Sequence, residues 1–387
     1  KSRGPVTAIF GQYSLGVGTH RDALVYSYNK STLPDRVKIF IELYNATVDQ
    51  LKRSGNSVDD LIDTADSRIK WTRQVKSAAM KLRYSEYAQK YVRSGLYRPF
   101  TNKYRYFDDF WNEERYKQPV IFPTEKSEVE NLALCVSGVG SERPFAVYIS
   151  RVIPDLNFFG PGTVPQWFPF YTYAEDGSNR RENITEWALK QFQEQYGPEV
   201  TKRDIFHYVY GVLHSPQYRE RYAENLKREL PRILFVGPKA FPVFVETGAR
   251  LADIHLNYEQ AKEYQLQWLE NKDVPFSWRV TKMQLSKDKT QIKVNESLTL
   301  AGIPAECFAY RLGNRSALEW VIDQYQVSTD KRSSITSDPN RADDEEYIVR
   351  LVGRVVTVSV ETVKLVEELV QAVNLEAEIG VTVEGLG

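Results

Sequence analysis

The sequence predicts an α+β protein, with an N-terminal helical part leading into lobes of mixed strand and helix. Three observations predict it. Leu33 to Arg53 carries Val37, Phe40, Ile41, Tyr44 and Val48 at helical spacing. Leu96 to about Gly162 breaks instead into short aromatic runs separated by Pro and Gly, which is a strand-and-loop texture. Trp278 to Leu300 alternates like a hairpin, and Arg341 to Leu369 returns to helical spacing as one long helix or two. The chain divides into a helical part, 1–95, and an α+β part, 96–387, unless 1–387 is one composite unit.

In chain order, Val6 to Phe10 and Ala23 to Tyr28 read as short strands around a glycine-bearing loop. The helix over Leu33 to Arg53 has Pro34 in its first turn, where a missing N–H costs nothing, and Gly55 to stop it. Val75 to Val92 reads as a second helix, ended by Gly95; its sparse apolar positions leave one broad face for solvent or a partner. Tyr104 to Phe107, Pro119 to Phe122, Leu132 to Val136 and Phe145 to Val152 read as strands. Ile184 to Gln195 is helical with Asn183 as its cap. Thr201 to Leu213 and Gln217 to Leu230 form a helical pair around His214-Ser215-Pro216, and Thr247 to Glu259 is helical again. The hairpin turns at Ser286-Lys287-Asp288-Lys289, and Ser316 leads a helix over Ala317 to Tyr325.

The 387 residues include 51 basic and 51 acidic side chains, so the formal net charge is zero. That total argues against a polyanion partner, although only the local distribution decides what a surface attracts. A hydrophobic fraction of 42% is enough for a core and excludes wholesale disorder. Two cysteines, Cys135 and Cys307, can form neither a disulfide framework nor a CxxC zinc site, and point to a reducing cytoplasm. No apolar run approaches the roughly 18–20 residues that span a bilayer. Lys1-Ser2-Arg3-Gly4-Pro5 is no signal peptide and lacks an initiator Met, so the chain is expected to be a piece of something longer.

Signatures of catalysis are missing. There is no GxxxxGK(S/T) phosphate loop, so ATP hydrolysis is not expected. Gly138-Val139-Gly140 follows strand-like residues as an S-adenosylmethionine loop would, but no Asn/Asp-Pro-Pro-aromatic tetrad follows, and a tight turn is the reading adopted. Pro154-Asp155 is not followed by the acidic-x-Lys element of a metal-dependent nuclease. His207 and His214 lie seven apart without acids beside them, and read as packing or DNA-facing residues. No GxSxG elbow exists. No catalytic residue, cofactor or metal is expected on this chain.

The charge is distributed unevenly. Residues 70–105 hold ten basic residues, among them Arg73, Lys76, Arg98, Lys103 and Arg105, against one acid, Glu86. Seven aromatic residues are interleaved with them, and Tyr106 follows, which suits a polyanion with flat bases. Exposed helices normally mix signs, so a plain solvated face fits this stretch less well. A second patch, Arg279, Lys282, Lys287, Lys289 and Lys293, occupies the hairpin, where it suits either a DNA groove or the protection of a sheet edge. Residues 338–387 hold eleven acids and four bases, a face for solvent or another domain.

Several segments together resemble the C-terminal specificity region of type ISP restriction–modification enzymes. They are Tyr13-Ser14-Leu15-Gly16-Val17-Gly18-Thr19-His20-Arg21-Asp22, Tyr97-Arg98-Pro99-Phe100, Ile153-Pro154-Asp155-Leu156 and Phe168-Pro169-Phe170-Tyr171. The most specific runs from Asp204-Ile205-Phe206-His207-Tyr208 through His214-Ser215-Pro216-Gln217-Tyr218-Arg219 to Leu230-Pro231-Arg232-Ile233. Tyr310-Arg311-Leu312-Gly313-Asn314-Arg315-Ser316 completes the set. The resemblance covers roughly residues 10–370; Leu234 to Val245 and the tail beyond Leu369 depart from it.

The resemblance implies double-stranded DNA as partner and a bacterial, cytoplasmic setting. It implies a monomeric polypeptide that also carries methyltransferase and translocase domains. S-adenosylmethionine, ATP and Mg²⁺ would serve those other parts, and none is expected here. Adenine-N6 methylation, translocation and cleavage would follow from the site that this region selects. Candidate DNA-binding residues are Arg21, Arg73, Lys76, Arg98, Asn102, Lys103, Arg105, Lys282, Arg311, Asn314 and Arg315. Arg suits guanine and Asn suits adenine in the major groove, while Asn314 and Ser316 equally suit a helix N-terminus. The alternative function is a protein-interaction scaffold without DNA contact.

Overall fold

The structure, a computed structural model, describes residues 7–62, 68–374 and 382–383. The N-terminal part is organised by the 23-residue helix α1 (Thr32–Ser54). Its apolar stripe, from Leu33 through Tyr44 to Leu51, is buried. Gly55 ends it in the left-handed conformation at φ 68°, and its N–H bonds the Leu51 carbonyl at 3.1 Å. Two short strands precede it, β1 (Ser14–Leu15) and β2 (Tyr26–Ser27). Ala23 to Val25, expected as strand, belongs to the helical turn Asp22–Val25. Of the expected strand Val6 to Phe10, Val6 lies outside the described residues, and Phe10 makes a single bridge to Ile184.

The expected helix Val75 to Val92 is corrected. Only α2 (Arg73–Met80) is helical, capped by the Thr72 hydroxyl. Leu82, at φ 51°, turns the chain out of the helix, and residues 92–98 become strand β3 (Val92–Arg98). Gly95 therefore sits inside a strand: a Cβ there would lie 2.8 Å from Arg105 Cδ on the neighbouring β4 (Thr101–Tyr106). The expected domain boundary after residue 95 falls within β3. With β7 (Ile153–Pro154) these strands form a sheet in the order β2-β4-β3-β7, and α1 and α2 enclose Phe40, Tyr44, Phe110 and Trp111 against it.

A second sheet, β1-β8-β5-β6, comprises β5 (Ala133–Val136), β6 (Val147–Ser150) and β8 (Gln166–Pro169) with β1. It is buried on both faces, as continuous apolar runs require. Cys135, Tyr148 and Trp167 face one core, and Leu134, Ile149 and Phe168 face another. Pro119 to Phe122, expected as strand, is instead the helical turn Gln118–Ile121 with Pro119 at its start.

The second core is closed by α3 (Glu186–Tyr196), α4 (Lys202–His214), α5 (Pro216–Arg221), α6 (Ala223–Arg228) and α7 (Ala240–Leu256). Thr185, not Asn183, caps α3; the Asn183 amide donates to the Gln12 and Pro169 carbonyls. α4 and α7 cross closely at two glycines. A Cβ on Gly248 would stand 2.0 Å from the His207 carbonyl oxygen, and one on Gly211 would stand 2.6 Å from that of Phe244.

The third sheet, β9-β12-β11-β10, is antiparallel: β9 (Gln267–Glu270), β10 (Gln284–Leu285), β11 (Gln291–Lys293) and β12 (Leu298–Ala301). The two-stranded ribbon β13 (Arg311–Leu312) and β14 (Arg315–Ser316) leads into α8 (Ala317–Gln324). A small hairpin follows, β15 (Ser328–Thr329) with β16 (Thr336–Ser337). Within the acidic C-terminal stretch, residues 347–374 form one helix, α9 (Tyr347–Asn374).

Candidate nucleic-acid interface

The β13–β14 ribbon is built around a two-residue turn, Gly313-Asn314, because Arg311 pairs with Ser316 and Leu312 with Arg315. Gly313 supplies the positive φ, 71°, that such a turn needs. The ribbon is anchored from below. Trp320 Nε1 donates to the Leu312 carbonyl at 3.0 Å, and Ser316 and Glu319 form a capping box at the start of α8. Ser316 thus serves as the cap, which frees Asn314 for the exposed tip. The Arg311 guanidinium donates to the Asn314 carbonyl and stands 3.8 Å from Glu319. Arg315 lies over the Trp320 ring and pairs with Asp323 at 2.8 Å.

A groove of about 470 Å³ runs beside this ribbon, and its lining brings Lys282 together with Asn314 and Arg315. Lys282 is exposed and makes no ion pair among the described residues. Next to it, β10 and β11 turn at Ser286–Lys289 as expected: the Ser286 N–H bonds the Gln291 carbonyl at 2.9 Å, and Lys289 adopts φ 60°. Hydrogen bonds from Ser286 and Thr290 hold the Asp288 carboxyl below its ordinary range. Lys287 projects from the tip, exposed. Lys289 bonds Glu319 at 2.9 Å. Burial would raise the Glu319 carboxyl, but the Ser316 N–H and Lys289 outweigh it and keep it low. A third segment joins: Arg143 Nη1 donates to the Phe159 carbonyl at 2.8 Å and to Asn314 Oδ1 at 3.3 Å.

Arg21 and the basic stretch 70–105 are arranged differently. Arg21 is 2% exposed; it donates to the Trp111 carbonyl at 2.7 Å and pairs with Glu113 at 2.9 Å. Burial lowers its pKa, and Glu113 partly offsets this. Arg98 pairs with buried Asp155 at 2.6 Å, and Asp155 also accepts from the Tyr26 hydroxyl. Burial would lower the Arg98 pKa, but Asp155 more than compensates and raises it. Arg105 is fully buried. It donates to Asn112 at 3.0 Å and stacks over Tyr26, while its Nε and Nη1 find no protein acceptor. Asn102 donates to the Tyr258 hydroxyl at 2.9 Å. Lys103 Nζ sits between the rings of Tyr97 (4.0 Å) and Tyr28 (4.4 Å), and burial pushes it down to about 7. On α2, Arg73 is exposed and Lys76 bonds Asp59 at 2.6 Å.

Arg21, Arg98 and Arg105, expected as DNA contacts, are placed in the interior with the interior partners Glu113, Asp155 and Asn112. For Arg98 and Arg105 these partners lie outside the basic stretch 70–105. His207 is half-buried and His214 buried on α4, and burial lowers the pKa of both.

A family model of the type ISP C-terminal specificity domain matches residues 8–351. The chain belongs to this family. Three solved structures are similar to this specificity domain over 95% of its length, each with a TM-score of 0.83. One is a nuclease-deletion mutant of the type ISP restriction–modification enzyme LlaGI in complex with a DNA substrate mimic, 36% identical. The second is a DrdV–DNA complex, 35% identical, and the third is the ATP-dependent type ISP enzyme LlaBIII bound to DNA, 31% identical. The specificity domain spans 33%, 37% and 24% of those chains respectively. No match is found among curated proteins.

Sequence reasoning missed Arg143 in this specificity domain. Gly160 makes room for it: a Cβ there would stand 2.3 Å from Arg143 Nη1. Among the described residues, no group of three or more His, Cys, Asp or Glu side chains is placed to hold a metal ion, and no helix is long and apolar enough to cross a membrane. The Gly138 and Gly140 amides bond the Thr163 and Lys227 carbonyls at 2.9 Å each, so this loop has no free N–H fork for a cofactor.

Proposed function

We propose that this chain reads a sequence in double-stranded DNA on behalf of a longer restriction–modification polypeptide. The observation that carries the reading is the convergence of Lys282, Asn314, Arg315 and Arg143, from three distant segments, on one exposed groove and ribbon. Phosphate contacts position a protein on the duplex, and base-edge contacts specify sequence. Lys282, Lys287 and Arg311 act as phosphate contacts, with Arg73 and Lys76 as outlying ones. Asn314 and Arg315 sit on a two-stranded tip narrow enough for a major groove, where amide and guanidinium edges discriminate adenine and guanine. Arg21, Arg98, Asn102, Lys103 and Arg105 act indirectly, by holding the sheet that carries Tyr97 to Phe100.

In this reading the adjoining methyltransferase flips an adenine at the selected site and methylates its N6. S-adenosylmethionine, ATP and Mg²⁺ serve that domain and the translocase and nuclease parts, which act at unmodified sites. This chain contributes no catalytic group and works as part of a bacterial, cytoplasmic monomer. The test is fluorescence anisotropy of the chain on random duplex at low salt, then on duplexes protected by the parent enzyme. Binding that Lys282→Ala and Asn314→Ala weaken supports the proposal.

One observation favours a docking role instead. Trp268, Leu269 and Phe276 are exposed beside the fully exposed edge strand β9, and Trp268 and Phe276 both pack edge-on against Trp278. Absence of DNA binding at low salt would favour that reading.

A further inference from the structure

A cleft of about 410 Å³ lies between the end of α4, α5, the segment before the β13–β14 ribbon, and α9. Two buried polar atoms without partners, and one guanidinium with a free edge, line it. His214 is 3% exposed, and its Nδ1 lies 2.8 Å from the Tyr210 carbonyl oxygen. A carbonyl only accepts, so Nδ1 carries the proton and Nε2 is an acceptor, and Nε2 has no partner. Burial, then Arg219 and His255, hold the His214 pKa well below its ordinary value, so the ring stays neutral.

The neighbouring His255 shows the contrast. The Thr362 hydroxyl donates to the Val358 carbonyl, so it accepts from His255 Nε2 at 2.9 Å. His255 Nδ1 then accepts from the Tyr210 hydroxyl at 2.7 Å, and this ring is fully satisfied. Tyr310 stacks on it at 5.0 Å, yet the Tyr310 hydroxyl has no partner. Arg219 completes the set. Its Nε donates to the Leu213 carbonyl at 2.6 Å and its guanidinium lies over Phe145, but it makes no ion pair with a carboxylate of the described residues. Burial pushes its pKa down to about 10, which leaves it charged at neutral pH.

Buried polar groups are normally satisfied, so two orphans beside a guanidinium without a carboxylate call for a ligand that answers all three. The free Nη edge of Arg219 is a planar fork suited to two oxygens of an oxyanion. Tyr310 adds a donor, and His214 Nε2 requires that the same ligand also donate. Sulfate, carboxylates and phosphodiesters carry no proton at neutral pH. We propose that this cleft binds the hydrogen-phosphate ion, whose oxygens accept from Arg219 and Tyr310 and whose P–OH donates to His214 Nε2. Exposed Glu220 and Glu367 at the rim weaken the attraction, so affinity is expected in about the millimolar range.

The test uses the full chain without DNA, so its outcome is independent of DNA recognition. Line broadening in ³¹P spectra and thermal shift are read with sodium phosphate, sodium sulfate and dimethyl phosphate at equal ionic strength. Phosphate is expected to bind about fivefold or more tightly than either competitor, the worth of one hydrogen bond. Tyr310→Phe keeps the stack on His255 and should weaken phosphate about fivefold. Arg219→Gln should abolish binding of all three. Equal binding of phosphate and sulfate, equal binding of dimethyl phosphate, or a Tyr310→Phe protein that binds phosphate normally would each overturn the proposal.

Discussion

In residues 70–105, Arg93 meets Glu128 and Arg98 meets Asp155, and the four side chains are between 2% and 11% exposed. In residues 279–315, Arg279 meets Asp338, Lys289 meets Glu319 and Arg315 meets Asp323, with cation exposures of 57%, 45% and 37%. Both stretches are cation-rich, and both hold paired cations beside exposed ones such as Arg73 and Lys282, so pairing does not separate them. Burial sets the Arg93 and Arg98 pairs apart from the other three. A desolvated pair cannot exchange its carboxylate for a phosphate without stranding a charge, whereas an exposed pair is worth about 0–1 kcal/mol and exchanges readily. The difference teaches that a one-sided run of charge reports where partners are missing in sequence, not where they are missing in space. The acidic C-terminal stretch is the complement: Glu368 pairs with Arg250, and Asp338 with Arg279.

The largest expected effect lies in the interior pair. Asp155→Ala strands Arg98 and removes the acceptor of the Tyr26 hydroxyl, and should cost about 3–5 kcal/mol of stability in urea unfolding. A variant of native stability with reduced DNA affinity would return Arg98 to the DNA surface.

A second break concerns Lys103. Burial takes its ammonium from an ordinary 10.5 to about 7. Between those values the unfolded chain holds a proton that the folded chain does not, so stability rises with pH from about 7 to about 10.5. Below 7 both states hold the proton and this dependence ends. Lys103→Met, which fills the same space between Tyr28 and Tyr97 without a charge, should flatten that rise. Urea midpoints from pH 6 to 10 measure it; an unchanged slope would mean that Lys103 is solvated like a surface cation.

These two regions were also unequally legible in the sequence. α1 and its Gly55 stop, the Ser286–Lys289 turn, and α8 led by Ser316 are set by local patterns, and their positions follow from spacing alone. The stretch from Val75 to Val92 misled because its stop was placed at Gly95, which lies inside β3, and that strand is fixed by pairing to β4, a tertiary matter. Of the candidate contacts, Lys282, Asn314 and Arg315 share a groove, which no sequence spacing encodes. Arg105 looked like a surface cation because Asn112 and Tyr26, which enclose it, lie beyond its immediate neighbours.

The groove sharpens the comparison from the other side. Asn314→Ala leaves the Ser316–Glu319 capping box intact, so stability should change by less than about 0.5 kcal/mol. Affinity for the cognate duplex should fall by about 1–3 kcal/mol, with little change on random duplex, as a lost base contact requires. Equal losses on both duplexes would make Asn314 a backbone contact and shift base reading to Arg315.

The smallest expected effect belongs to Lys287, and it isolates the electrostatic part. Lys287 stands at the tip of the β10–β11 turn, exposed and without an ion pair among the described residues, so its removal disturbs no structure. One phosphate contact contributes about 0.9 to the slope of log affinity against log salt. Lys287→Ala should reduce the slope by that amount on cognate and random duplex alike, and leave the ratio of the two affinities unchanged. Anisotropy titrations between about 50 and 200 mM salt, over which the Debye length falls about twofold, give both quantities. If the slope holds while the ratio falls, the tip reads bases and the phosphate anchors lie elsewhere along the ribbon. If neither moves, the β10–β11 cations only protect a sheet edge, and the groove beside Asn314 and Arg315 carries recognition without them.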